Sequence, residues 1–149
     1  MSDSFADDCI FCALLAGRVP ATFLHRDERC AAFMDLRPVN PGHILIIPIE
    51  HAPALKDVSP DDAAHMMRLA QRYAAAIRAS GLKCEGVNLF LADGEAAMQE
   101  VFHTHLHVFP RYRGDGFGLR FGPHYAAQER TELERTAAMV RNAAAALDG

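Results

Sequence analysis

The segment Val101-Phe102-His103-Thr104-His105-Leu106-His107-Val108-Phe109-Pro110 constrains the fold more than any other stretch of this chain. Histidine recurs at every second position, with Thr104, Leu106 and Val108 between. Extended chain turns successive side chains to opposite sides, so the pattern predicts a strand over His103–Pro110 with the three histidines on one face. The opposite face is apolar enough to pack on a helix. A half-exposed strand that happens to carry three imidazoles is the plain alternative, but histidine is not a favoured surface filler. Two chemical readings remain. Neutral imidazole is a common zinc ligand. It is also a nucleophile at neutral pH, because its ordinary pKa is near 6.5.

The rest of the chain supplies partners for such a strand. Residues 1–8 are polar and read as a frayed end. Residues 9–17 suit a short helix closing at Gly17. Thr22–Arg26 and Arg29–Met34 flank the polar Asp27-Glu28 pair and predict a hairpin. Asn40-Pro41-Gly42 is a turn signal opening a strand over His43–Pro48, which ends at a proline that cannot donate to a ladder. Ser59 as N-cap, Pro60 at the first helical position and an apolar stripe from Ala63 to Ile77 predict a helix ended by Gly81. Gly86–Ala92 reads as a further strand, residues 111–125 as irregular, and residues 126–147 as a terminal helix burying Leu133, Ala137, Met139, Val140 and Ala144. Five strands with hairpin-length early links argue for an α+β fold with a mainly antiparallel sheet, in one domain over 1–149. No strand alternates regularly with helix and no glycine-rich loop opens a helix, which counts against dinucleotide-binding and P-loop folds.

Composition narrows the function. With 149 residues, 50% apolar and 23% charged, the chain is of globular type. Its 15 Lys and Arg against 19 Asp and Glu give a net charge of −4, which excludes a general basic surface for nucleic acid. No apolar run approaches the ~20 residues of a membrane helix, and the N-terminus lacks a secretory pattern, so the expected location is the cytoplasm. In that reducing compartment Cys9-Ile-Phe-Cys12 reads as a metal or redox pair. A thioredoxin-like context for redox is missing. Cys30 and Cys84 read as small buried residues.

The histidine run resembles the signature of the histidine-triad (HIT) family, His-φ-His-φ-His-φ-φ with φ apolar, from His103 to Phe109 with Thr104 at the first φ. The resemblance extends to Cys9-x-x-Cys12, Phe33-Met-Asp35-Leu-Arg-Pro38-Val-Asn40-Pro-Gly42-His43, Pro48-x-x-His51 and Asp93-Gly94…Gln99-x-Val101, covering about residues 9–113. It implies a five-stranded antiparallel sheet with two main helices, a homodimer whose sheets run into one another, and a purine nucleotide site. It further implies that His105 attacks an α-phosphorus and holds a nucleotidyl-histidine. His107 would hydrogen-bond phosphate oxygens or the leaving group, Gln99 the phosphoryl group, and Asp35 the ribose. Ile10, Phe11, Leu14, Phe33 and Leu36 would form the base pocket. Asn40 reads as a turn residue, and His25, His43, His65 and His124 receive no role.

Some relatives bind structural zinc through the set that corresponds to Cys9, Cys12, His51 and His103. If zinc is held there, His103 is neither acid nor base; if not, His51 and His103 fall behind His105 as a proton relay. Three positions depart from the family pattern. Ala92 lacks an amide donor, Met98 replaces a glycine, and Glu100 replaces a small hydroxyl residue. Pro110-Arg111 points toward relatives acting on dinucleoside polyphosphates. The expected activity is hydrolysis or nucleotidyl transfer at an α-phosphate, on dinucleoside polyphosphates or nucleoside phosphoramidates and adenylates. A catalytically weak nucleotide-binding regulatory module and a metal-dependent hydrolase ligated by His103, His105 and His107 are the alternatives.

Overall fold

The computed structural model describes residues 8–148, so residues 1–7 of the expected frayed end lie outside the described part. The chain divides after Phe117 into two compact units. The first contains α1 (Ile10–Leu15), β1 (Phe23–Arg26), β2 (Cys30–Met34), β3 (Ile44–Pro48), α2 (Pro60–Ala79), β4 (Gly86–Leu91) and β5 (Leu106–Arg111). The second contains α3 (Arg130–Leu147).

The five strands form one sheet in the order β1-β2-β3-β5-β4, and every neighbouring pair is antiparallel. β3 lies at the centre and is buried on both sides, which is why it reads as an unbroken apolar run. The two-residue period sorts its side chains. Ile44 and Ile46 join Cys30, Ala32, Leu106 and Val108 on one face, packed against Met66, Leu69, Ala70 and Ile77 of α2. Leu45 and Ile47 join Ala31 and Phe33 on the other, packed against Cys9 and Phe11 of the α1 region. α2 begins as its sequence predicts: Ser59 Oγ accepts the Asp62 amide at 3.1 Å and Pro60 occupies the first turn.

The face opposite α2 carries the site. Phe33 pairs with Leu45, Leu45 with His107 and His107 with Phe90, so these four side chains form one row across four strands. The Asn40–His43 turn closes one end of it. Gly42 adopts φ +106°, and a Cβ there would lie 2.9 Å from Leu82 Cδ1 and 3.3 Å from Pro110 Cγ. Asn40 is buried and its amide donates to the Pro110 carbonyl and to Asp115, both at 2.9 Å. This is the structural role expected of it.

Two expectations are corrected. The ladder of β5 starts at Leu106, not His103. Thr104 instead directs both its amide (2.7 Å) and its hydroxyl (2.9 Å) to the Ala52 carbonyl, tying the lead-in to the loop after β3. The terminal helix starts at Arg130, and within its own unit it leaves Leu133, Met139, Val140 and Ala144 exposed and Ala137 half-buried. Among the described residues that unit holds no second helix or strand for the apolar stripe to pack against.

Candidate active site and metal centre

The metal-ligating cluster assembles from three separated segments. Cys9 precedes α1 and its Sγ accepts the Cys12 amide at 3.4 Å, so the helix start itself brings the two sulfurs together. His51 follows β3, and His103 lies in the lead-in to β5. His103 Nδ1 is 3.4 Å from Cys9 Sγ, 3.6 Å from Cys12 Sγ and 3.3 Å from His51 Nδ1, and Cys12 Sγ is 3.3 Å from His51 Nδ1. All four donor atoms lie within 4.8 Å of one another. A tetrahedral zinc ion sets donor edges of roughly 3.5 Å for sulfur to nitrogen and roughly 3.3 Å for nitrogen to nitrogen. The cluster therefore fits such an ion. His103 Nε2 donates to the Pro48 carbonyl at 2.8 Å, which leaves the Nδ1 lone pair facing the sulfurs. Burial holds His103 neutral, down to about 4, while burial and the adjacent Cys9 push the Cys12 thiol up to about 11.

His105 and His107 sit beside this cluster with ring centroids 4.9 Å apart. Their hydrogen bonds fix opposite tautomers. His105 Nδ1 donates to the His103 carbonyl at 2.8 Å, so Nε2 carries the lone pair. His107 is governed by a longer chain. The Val39 amide donates to His43 Nδ1 at 2.9 Å, which puts the His43 proton on Nε2. That proton is directed to His107 Nδ1 at 2.9 Å, and the His107 proton is then on Nε2. Asp35 Oδ2 lies 3.4 Å from His43 Nε2, and Asp35 Oδ1 accepts the Arg37 amide at 2.9 Å. Burial lowers the pKa values of His43, His105 and His107, that of His107 to about 4, with Asp35 opposing each shift. At neutral pH the two site histidines are thus uncharged, one presenting a lone pair and the other an N–H.

Nothing in the sequence marks His43, yet it joins Asp35 and His107 in one cluster. Its partner is 64 positions away, and no local pattern reveals such a pairing. Phe11 and Phe33 are buried and meet edge to face; Phe11 also packs against His105 at 5.1 Å. Leu14 is half-buried, Ile10 about half exposed and Leu36 almost fully exposed, so the expected base-pocket residues do not close into one apolar wall within this chain. Gln99 is buried with every polar atom engaged: Oε1 accepts the Gly94 amide at 2.8 Å, and Nε2 donates to the carbonyls of Pro53 (2.7 Å) and Val101 (3.1 Å). It braces the loop, and a bond to a phosphoryl group requires one of these to break. Met98 before it is left-handed at φ 72° with an exposed side chain, in the conformation that favours glycine. Ala92 is buried and Glu100 exposed.

A five-stranded antiparallel sheet, one face under a long helix and the other carrying paired histidines next to a Cys₂His₂ cluster, defines a small class of proteins. The HIT domain profile matches residues 16–114, and the chain belongs to the HIT family. It is 37% identical over 140 residues to an uncharacterized HIT-like protein of Mycobacterium tuberculosis, covering 94% of this chain and 95% of that one. It is similar to the crystal structure of a zinc-bound histidine triad family protein from Mycobacterium smegmatis, with 40% identity, a TM-score of 0.72 and coverage of 94% and 99%. It is also 36% identical over 115 residues to adenylylsulfatase HINT3 of Arabidopsis thaliana, covering 76% of this chain and 57% of that one.

Proposed function

We propose that this chain hydrolyses or transfers nucleotidyl groups by attack of His105 Nε2 on an α-phosphorus. The observation that carries the reading is the pair of opposed tautomers. One ring offers a lone pair, and its neighbour, 4.9 Å away between ring centroids, offers a proton. In the first step the Nε2 lone pair forms the P–N bond and the bond to the leaving group breaks with its electron pair. The resulting nucleotidyl-imidazolium keeps its Nδ1–H on the His103 carbonyl, which stabilises the positive ring. His107 Nε2–H donates to a phosphate oxygen or to the departing atom, where negative charge develops. In the second step water, or another acceptor, attacks phosphorus. The P–N bond returns its electrons to His105, and the acceptor's proton passes to solvent. His43 is a positioning residue: it holds His107 in the donating tautomer. Asp35 faces the ribose hydroxyls as an acceptor.

The substrates are nucleotides whose α-phosphate carries a good leaving group: dinucleoside polyphosphates, nucleoside phosphoramidates or adenylates. The name of the Arabidopsis relative supports including an adenylyl sulfate among them. Cys9, Cys12, His51 and His103 hold a structural zinc ion; with four protein ligands the ion ties α1, the loop after β3 and the β5 lead-in together and keeps no position for a reacting water. A site built instead from His103, His105 and His107 as ligands is disfavoured, because both His103 nitrogens are already engaged. A Cys₂His₂ zinc set keeps Cys9 and Cys12 as thiolates, which suits the reducing cytoplasm proposed for the chain. No helix among the described residues is long and apolar enough to cross a membrane. Homodimerisation through the free edge of β4 is supported by the sheet order: β1, the other edge, is short and bulged, as edges that avoid pairing are.

The test is turnover of a phosphoramidate, a dinucleoside polyphosphate and an adenylyl sulfate by His105→Gly. The expected loss is roughly 10³–10⁶-fold in kcat on whichever substrate the wild type prefers. Wild-type-like turnover contradicts the mechanism. Tight nucleotide binding without product in the wild type would identify a regulatory module instead.

A further inference from the structure

A second cluster of ligating side chains lies outside the site above, where the β1–β2 turn meets α2. His25 is on β1, Asp27 opens the turn, and His65 projects from the second turn of α2. His25 Nε2 and His65 Nε2 are each 2.6 Å from the same oxygen, Asp27 Oδ2. The other oxygen, Oδ1, accepts the amides of Arg29 (2.8 Å) and Cys30 (2.9 Å). Those two bonds fix the carboxylate, and Oδ2 accepts an N–H from each imidazole. A separation of 2.6 Å is a hydrogen-bond distance, so an ion entering here displaces the two imidazole protons and spreads the three donors by a few tenths of an ångström. A register slip between Phe23 and His25 re-aims β1, and His25 is its one partly buried side chain.

The three donor atoms lie within 4.8 Å of one another, and their side chains are a quarter to a third exposed. Asp27 and His65 border an open cleft of about 670 Å³ that Glu28, Asp61 and Arg68 also line. Arg29 is drawn away to Asp62 at 2.9 Å, so the acidic side chains oppose one remaining cation across the cleft. Two imidazole nitrogens and one carboxylate oxygen form the donor set of open transition-metal sites, with water in the remaining positions. Calcium and magnesium prefer oxygen throughout, so two imidazoles select zinc, cobalt or nickel instead.

We propose that His25, Asp27 and His65 form a second metal site for a divalent ion of the zinc class. It contains no sulfur, faces solvent and keeps positions for water or a small anion. An ion there fastens the β1–β2 turn to α2, so it also raises stability.

The test uses untagged protein dialysed against zinc and analysed for metal per chain. His65→Ala and Asp27→Asn are expected to hold one zinc fewer than the wild type, whatever the cysteine set holds. Asp27→Asn keeps an oxygen for the two turn amides, so it removes the ligand charge from a folded chain. In a cobalt titration the extra equivalent adds weak visible bands without thiolate charge transfer, and that increment vanishes in both variants. Added zinc raises the Tm of the wild type more than that of Asp27→Asn. Equal zinc content in the wild type and both variants overturns the proposal, as does an extra cobalt equivalent that carries thiolate charge transfer.

Discussion

At the scale of single residues, the site is organised by where protons sit. The Val39 amide points at His43 Nδ1, and that one bond propagates to His107 two rings away. His43→Phe should therefore lower kcat by roughly 10–100-fold with little change in KM, and His43→Gln, which can still donate to His107 Nδ1, should recover much of the loss. Steady-state kinetics of the two variants checks this; equal activity of wild type and His43→Phe removes His43 from the mechanism. The sequence made His103, His105 and His107 legible because alternation is local. It left His43 unmarked, because a lone histidine after Pro-Gly carries no sign of the ring it will meet. Gln99 shows the converse. Its place in the family pattern invites a phosphate contact, but burial forces every polar atom to find a partner, and the nearest are the carbonyls of its own loops.

At the scale of elements, the histidine alternation marked the shared face but not the start of the strand. Any extended chain alternates, and Thr104 shows that the lead-in can be held by one carbonyl of a neighbouring loop instead of a ladder. The apolar stripe of α2 read correctly because the sheet supplies a surface for it. The similar stripe of α3 stays open within its own unit, because amphipathic spacing states what a helix can bury and its unit offers no sheet to it. The turn after β5 depends on one carboxylate. Asp115 takes Arg111 Nε at 2.6 Å, the Asn40 amide, and the Tyr112 and Phe117 amides. The Arg111 guanidinium, with these donors, holds the Asp115 carboxyl well below its ordinary value of 3.8 despite its burial. A depressed carboxylate contributes stability that is present above the unfolded value and lost as pH falls through the folded one. Asp115→Asn should therefore lower Tm at pH 7, and the gap from wild type should shrink below about pH 4. Thermal melts across pH 7 to 2 measure it; a gap that does not change with pH contradicts the assignment.

At the scale of the whole molecule, the Cys₂His₂ cluster joins three segments spread over residues 9–103, and the family resemblance made this set legible before the fold was. Removing zinc by a chelator should lower Tm, by on the order of 10 °C, while turnover persists at temperatures where the metal-free chain stays folded. Turnover that disappears with the metal in a still-folded chain would make the ion catalytic. In the proposed function, the sheet, the helix over one face and the paired histidines on the other serve a single chemical act, the loading of His105. The direct measurement is rapid acid-free quench during turnover, followed by intact-mass and peptide analysis. A nucleotidyl adduct is expected on the peptide containing His105, acid-labile and absent from His105→Gly. Turnover with no adduct at His105, or an adduct on another residue, contradicts it.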